Sequence, residues 1–330
     1  MNPDKNISKY AVIKNTSLES NDIHVEDGAQ LTNVHIRATK ITIKSHASLT
    51  ECKLFSDHEI QVGENTVIKE RTIMNAFNGI SIGDRTVIDR DVFVGGIQSE
   101  KSRLEVGDDC VILYRSYLNT TRKISIKNNV GIGGYCLIFT HSAWQNVLEG
   151  NPFKFANVEI RDNVWLPWNA TILPGVTIDN DVTVGAGAVV TKSLPAFVVA
   201  VGVPAKIIKT KKTGVLSEGQ KEKIILEILS DFQGYANDFL KLKNVASRTS
   251  EEYILEFNET RLRYAKKLDN NFNSFDIVVS FKIPNEMKKK YEWIELDTLT
   301  ACIKSEISRH FLTFVRRYGL KLKAASQSII

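Results

Sequence analysis

The sequence is poor in the residues that most often announce metal or redox chemistry. Four cysteines occur in 330 residues, Cys52, Cys110, Cys136 and Cys302, scattered without the paired spacing of a metal site. Six histidines are present, and His141 is the only one between His58 and His310. No apolar run approaches the length needed to span a bilayer, and the opening MNPDKNISKYAVIKN lacks the apolar core of a signal peptide. Membrane contact and export are therefore not expected. Charge of one sign is barely in excess: 43 Lys and Arg against 38 Asp and Glu leave +5, which favours anionic ligands without requiring nucleic acid. Scattered cysteines in an ordinary soluble composition imply a reduced, cytoplasmic setting.

What the sequence does have is a period. Ile160, Leu166, Ile172, Ile178, Val184 and Val190 stand six residues apart, and four residues after each of the first five comes a smaller side chain: Val164, Ala170, Val176, Val182, Ala188. A period of six fits neither an amphipathic helix nor an alternating strand. It fits a parallel β-helix, in which three short strands and their corners make a coil of about eighteen residues. The large and the small residue point inward and stack on their equivalents one coil away. Asp162-Asn163, Asn180-Asp181 and Gly107-Asp108 suit the left-handed backbone of tight corners. Cys110 and Cys136 fall at small inward positions and read as core filler.

Residues 1–40 carry weakly patterned apolar pairs, consistent with an opening coil or a cap. The repeat is legible from about Ile43 and breaks at 74–81, 95–105, 113–123 and 141–157. Such breaks are loops pushed out of a rigid scaffold, where function usually resides. The repeat closes with TKSLPAFVVAVGVPAKIIK and a basic run, Lys206, Lys209, Lys211 and Lys212. Ser217 and Gln220 form a capping box, starting a helix with the apolar stripe Ile225, Ile228, Leu229, Phe232, Ala236 and Phe239. Residues 250–323 read as a small α+β module: YILEF, FDIVVSFKI and WIELDTLT as strands, Ser305 to Tyr318 as a last helix closed by Gly319. The expected division is a lead-in over 1–40, a β-helix over 41–212, a connecting amphipathic helix over 213–249 and an α+β module over 250–330.

Two places draw attention as sites. His141, in IFTHSAW, stands at the mouth of the longest break. The closing segment offers a small-residue corner, Val184-Gly185-Ala186-Gly187, then Thr191-Lys192 and the lysines after Pro204, where small residues admit a ligand and lysines suit phosphates. On residue type alone, a loop histidine and a lysine run are both more often incidental.

NVWLPWNATILPGVTIDNDVTVGAGAVVTKSLPAFVVAVGVPAKIIK resembles the closing coils of the hexapeptide-repeat acyltransferases, in particular the galactoside, maltose and xenobiotic O-acetyltransferase branch. The resemblance covers roughly residues 124–209 and implies a left-handed β-helix, an exception to the usual crossover hand. It implies homotrimers with acetyl coenzyme A in the cleft between adjacent prisms. It places His141 as the general base that deprotonates an acceptor attacking the thioester, a task suited to a pKa near neutrality. By the same resemblance Trp165 and Trp168 line the coenzyme cleft, the Ala186 backbone faces the pantetheine arm, Thr191 and Lys192 lie near the nucleotide, and Lys206 and Lys209 near its phosphates. Pro167 and Trp168 stand where the family has glycine and a small residue; Pro167 offers no N–H. Arg115, Asn119 and Trp144 are the acceptor-binding candidates.

The resulting expectation is acetyl transfer to a sugar hydroxyl, possible on a surface-polysaccharide unit, with amino-sugar N-acetylation as the neighbouring alternative. A zinc carbonic anhydrase on this prism would need three facing histidines. His24, His35, His46 and His58 are out of step with the coil, and no metal is expected. A non-catalytic scaffold predicts an indifferent His141.

Overall fold

The computed structural model describes residues 4–210, 216–258, 260–268 and 272–324, in two compact units, Met1–Thr213 and Gly214–Ile330. In the first unit every third strand shares a sheet, so three parallel sheets, faces A, B and C, close a left-handed β-helix. The nine face-A strands open nine coils, at Asp4–Ile7, Asp22–Val25, Lys40–Ile43, Glu59–Val62, Ile80–Ile82, Leu104–Val106, Ile124–Ile126, Val158–Ile160 and Thr177–Ile178. These are numbered coils 1 to 9 below. The inward residues are sealed: Ile160, Leu166, Ile172, Ile178, Val184 and Val190 are all 0% exposed. Each such aliphatic side chain contributes about 1.5–3 kcal/mol on burial.

Corners must satisfy the backbone groups that strands leave over. At the AB edge an Asx residue of one coil accepts from the main chain of the coil before. Asp84 takes the N–H of Glu64, Asp108 that of Asp84, Asn128 that of Asp108, Asp162 that of Asn128 and Asn180 that of Asp162, at 2.8–3.0 Å. The next residue in each coil, Asn65, Asp109, Asn129, Asn163 or Asp181 among them, has φ between 55° and 59°. Inside, Thr66 and Thr86 occupy small slots and donate to Gly83 and Gly107 carbonyls. Cys110 and Cys136 are buried in equivalent slots.

Residues 4–40, expected as an opening coil or a cap, form coils 1 and 2 in full register with coil 3 (Asp22↔Lys40). Their apolar pattern is thin because inward residues of the terminal coil, such as Leu18, are only half-buried. The AB edge keeps constant length throughout, and the BC edge does so from coil 4 on, one residue longer than in coils 1 to 3: Ser48 and Lys53 pair with Val67 and Ile73. The longer insertions all leave at the CA edge, so Ile60 pairs with Ile80, Ile80 with Leu104, Leu104 with Ile124, and Ile124 with Val158. The break expected at 113–123 is therefore shorter. Tyr117–Asn119 is a regular strand, Ser116 fills an inward slot with its hydroxyl on the Gly133 carbonyl at 2.9 Å, and only 120–123 bulge. Val198–Val201 and the antiparallel Lys206–Thr210 close face B. Lys211 and Lys212 lie outside the described residues.

In the second unit, helix α1 (Glu218–Asp238) starts at the Ser217–Gln220 capping box. It is a core element of this unit rather than a connector. Phe232 meets Phe311 of helix α3 (Glu306–Val315) at 5.0 Å between ring centroids and packs over Leu255, Leu262, Ile277 and Ile294. Phe239, assigned to the stripe, is instead 76% exposed because the helix ends before it. The seven strands run in sequence order across one mixed sheet. WIELDTLT is not one strand but two, Glu292–Glu295 and Thr300–Cys302, paired antiparallel. Helix α2 (Asn285–Lys290) carries Lys288, which pairs with Glu295 at 2.9 Å. No helix among the described residues is long and apolar enough to cross a membrane.

Candidate active site

His141 begins the longest excursion of the CA edge. His141–Ser142 pairs antiparallel with Lys154–Phe155, so the excursion returns as a hairpin. Gly175, with φ 80°, lets it lie close: a Cβ there would stand 2.8 Å from Lys154 Cε. Phe155 stacks on the imidazole at 5.8 Å and 27°, and the Arg122 guanidinium lies 4.9 Å from the centre of the Phe155 ring.

The hydrogen bonds around His141 fix its proton. Asn119 is 2% exposed, and its Oδ1 accepts from the Thr121 backbone N–H at 3.2 Å. Its Nδ2 donates to the Tyr117 hydroxyl at 2.7 Å. The backbone donor identifies which amide atom is oxygen, which geometry alone would leave open. His141 Nδ1 lies 3.0 Å from that oxygen and 3.4 Å from Thr121 Oγ1, so Nδ1 carries the hydrogen and donates. Nε2 is left as the lone-pair nitrogen, and no described residue hydrogen-bonds to it. Thr140 Oγ1 anchors the same corner by donating to the Asn119 carbonyl at 2.6 Å.

Asn119 is thus buried behind the histidine, with its Oδ1 on His141 and one amide N–H on Tyr117. Trp144, in the excursion, is 98% exposed and holds no ring contact among the described residues. Arg115 precedes the strand Tyr117–Asn119, at the BC edge, so a full width of face C separates it from His141. Thr121, Thr140 and Phe155 were not singled out in the sequence. Their only signal is position relative to Asn119 and His141, and excursions of unequal length hide it.

The remaining candidates lie elsewhere on the prism. Trp165 is on face B, its indole over Gly131, where a Cβ would meet Cε3 at 2.5 Å. Trp168 and Ala186 are exposed at the BC edge, in coils 8 and 9, linked by the Gly187 N–H donating to the Trp168 carbonyl at 2.9 Å. No described residue accepts the N–H of Trp168 or Ala186. Trp168 does not cover Ala186. Its ring turns toward the preceding coils, across Gly134, to meet Tyr114 edge-on at 5.1 Å. Pro167 costs a ladder rung rather than a ligand contact. Gly133 N–H and Gly185 N–H donate to the Leu166 and Ala200 carbonyls, whereas position 167 has nothing to donate and only Trp165↔Thr183 pairs there. Thr191 and Lys192 are exposed at the CA edge of coil 9, and Lys206 and Lys209 are exposed on the closing strand of face B. One chain therefore holds His141 at the CA edge and the aromatic and small-residue corner at the BC edge.

His24, His35, His46 and His58 sit respectively on face A, on face C, at the AB edge and at the CA edge. No group of three metal-ligating side chains occurs among the described residues.

Residues 157–192 match the family model "Bacterial transferase hexapeptide (six repeats)". WbbJ of Escherichia coli, provisionally named as an O-acetyl transferase of lipopolysaccharide biosynthesis, is 30% identical over 160 residues, 48% of this chain and 75% of WbbJ. Galactoside O-acetyltransferase of Escherichia coli is 46% identical over 60 residues, 18% of this chain and 29% of that protein. The matches span from 25% to 75% of the first curated relatives' lengths. A hexapeptide-repeat acetyltransferase of Vibrio cholerae, solved with acetyl coenzyme A, superposes with a TM-score of 0.33 at 21% identity, over 46% of this chain and 70% of that one. The six-residue period, the three-sheet register and the alignment over most of WbbJ carry one conclusion: the chain belongs to the hexapeptide-repeat transferases.

Proposed function

We propose that the protein transfers an acetyl group from acetyl coenzyme A to a saccharide hydroxyl, at a site shared by two copies in a homotrimer. The observation that carries the reading is the His141 imidazole, its Nδ1–H held by Asn119 and its Nε2 free. Nε2 takes the proton of the attacking hydroxyl as oxygen adds to the thioester carbonyl. When the C–S bond breaks, that proton passes to the leaving sulfur, giving an O-acetyl ester and free coenzyme A thiol. The unpartnered Trp168 N–H is the donor assigned to the developing oxyanion, and the Ala186 N–H to the pantetheine amide.

The placement of these residues at two edges supports the trimer. Rotation about an axis parallel to the prism keeps every coil at its own level, so the CA edge of one copy meets the BC edge of the next at equal height. His141, leaving coil 7, then stands level with Tyr135 and just below Trp168 of the neighbour. Face C supports such packing, with Ile73 and Phe93 exposed by 36% and 47%. The sugar acceptor and the acetyl donor are read from the names of the relatives, and the hydroxyl from their O-acetyl chemistry.

The test is thiol release from acetyl coenzyme A with a panel of glycans and amino sugars, followed by mass spectrometry of the product. His141→Ala is predicted to lower kcat by about 10²–10⁴-fold, the range of general-base catalysis. Unchanged turnover in that variant would remove the base assignment, and an N-acetyl product would replace the hydroxyl by an amine.

A further inference from the structure

The BC edge below Trp168 carries a strip that neither the fold nor the coenzyme accounts for. Successive coils place Arg90, Tyr114, Gly134, Trp168 and Ala186 in one column, joined by backbone hydrogen bonds through their neighbours: Arg115 N–H to the Arg90 carbonyl, Tyr135 N–H to that of Tyr114, and Asn169 N–H to that of Gly134. Gly134 is the gap in the column. A Cβ there would lie 2.6 Å from Trp168 Cζ3, and its absence lets the indole reach Tyr114 two coils away. Tyr135 closes the cluster, 5.2 Å from Tyr114 and 6.1 Å from Trp168.

Two guanidiniums border these rings. Arg90 lies 5.7 Å from the Tyr114 ring centre and Arg115 5.8 Å from that of Tyr135, whose hydroxyl Arg115 also meets at 3.0 Å. Both arginines are exposed, and among the described residues neither forms an ion pair. The contrast is Arg71 at the same edge, whose guanidinium takes both carboxylate oxygens of Asp91 at 2.7 and 2.9 Å. Arg115 and Tyr135 occupy the left-handed corner position of their coils with φ of 56° and 58°, as Glu51 and Arg71 do at the same edge.

We infer that this strip is the acceptor subsite and that it selects an anionic saccharide, one bearing a carboxylate or phosphate. The inference rests on the trimer reading above. The coenzyme track runs from Trp168 through Ala186 toward the C-terminal end of the prism, so the acceptor must approach from the other side of the reaction level. That side is the strip. Arg115 stands one coil below the His141 level and Arg90 two, about 5 and 10 Å at the spacing of neighbouring strands. The rings of Tyr114, Tyr135 and Trp168 offer apolar faces to the C–H face of a sugar, and a guanidinium offers two parallel donors to a carboxylate or phosphate.

The experiment is binding to the full-length protein saturated with coenzyme A, by calorimetry, using methyl β-glucuronide, glucose 6-phosphate and methyl β-glucoside. These probes share one ring and differ at its sixth carbon, glucose 6-phosphate also lacking the methyl group at the anomeric oxygen. The expected result is that at least one anionic probe binds tenfold or more tighter than the glucoside, that R90Q/R115Q erases the difference, and that coenzyme affinity stays within twofold. Preference for the glucuronide alone assigns a carboxylate sugar, preference for the phosphate alone a phosphorylated one, and preference for both the shared anionic chemistry. Equal binding of the glucoside, or anionic binding untouched in R90Q/R115Q, would overturn the inference. The readout needs no turnover. A protein that discriminates the probes through these arginines and yet transfers no acetyl group would sink the enzymatic reading and leave the subsite standing.

Discussion

At His141 the decisive neighbour is an amide. Because Asn119 Oδ1 already accepts from Thr121 N–H, it imposes one tautomer on the imidazole. Asn119→Leu removes that acceptor, and kcat is predicted to fall at least tenfold. In ¹⁵N spectra the Nδ1–H signature of His141 should give way to a mixture of tautomers. Asn119→Asp keeps an acceptor but adds charge. A carboxylate beside imidazolium favours the protonated ring, so activity should persist with the acidic limb of its pH profile moved to higher pH. An unmoved limb in Asn119→Asp would show that the pair does not set the base. The inward cysteines behave oppositely, as inert filler. Burial pushes the Cys136 thiol up to about 11 and Cys52 up to about 12, from 9.0. A folded-state pKa above the unfolded one stabilises the fold fully below pH 9, and that contribution is lost as pH rises through about 11 for Cys136. Cys136→Ala, which copies Ala170 in the same column, should flatten the decline of the thermal midpoint between pH 9 and 11. A decline as steep as in the unaltered protein would contradict this. Residues of this kind were legible in the sequence because their hexad position sets their fate. Asn119 was legible only as polar and loop-borne, since nothing local says that it is buried behind a histidine.

The coil is the unit of design, and its three edges differ. The AB edge is constant, and the BC edge is constant from coil 4 on, with repeating corner chemistry, which is why the period shows through the sequence past Ile43. The CA edge absorbs the long insertions, and each shifts the frame for all that follows. Tyr114-Arg115-Ser116 shows the consequence. Bulky and polar residues in a regular corner read as a break, although Ser116 fills an ordinary inward slot. The BC strip depends on the opposite substitution, a glycine where a side chain would obstruct. Gly134→Leu should push the Trp168 indole off Tyr114, shifting the tryptophan emission and costing about 1–3 kcal/mol as an overpacked contact. An unchanged spectrum and melting midpoint would mean that the indole does not lie where Gly134 makes room for it.

The whole molecule consists of two cores with separate logics. The β-helix was readable because its period forces large and small residues into fixed slots. The second unit was readable at its helices, where the capping box at Ser217 and the apolar face of α3 have local signatures, and at the strands in YILEF and FDIVVSFKI. Its edge strands Val245–Arg248 and Lys323–Ala324 have no clean alternation, and their pairing depends on distant partners. The proposed site, by contrast, is shared between copies in our reading, because His141 and the Trp168–Ala186 corner stand at different edges of one prism. The most direct measurement is therefore complementation. His141→Ala, lacking the base, and Ala186→Trp, blocking the coenzyme corner, should each be inactive alone. Unfolded and refolded together in equal amounts, they should recover about a quarter of the unaltered activity, since random trimers pair an intact His141 with an intact corner at that frequency. Mixtures that stay as inactive as their parents, while forming mixed trimers, would contradict a site built between copies.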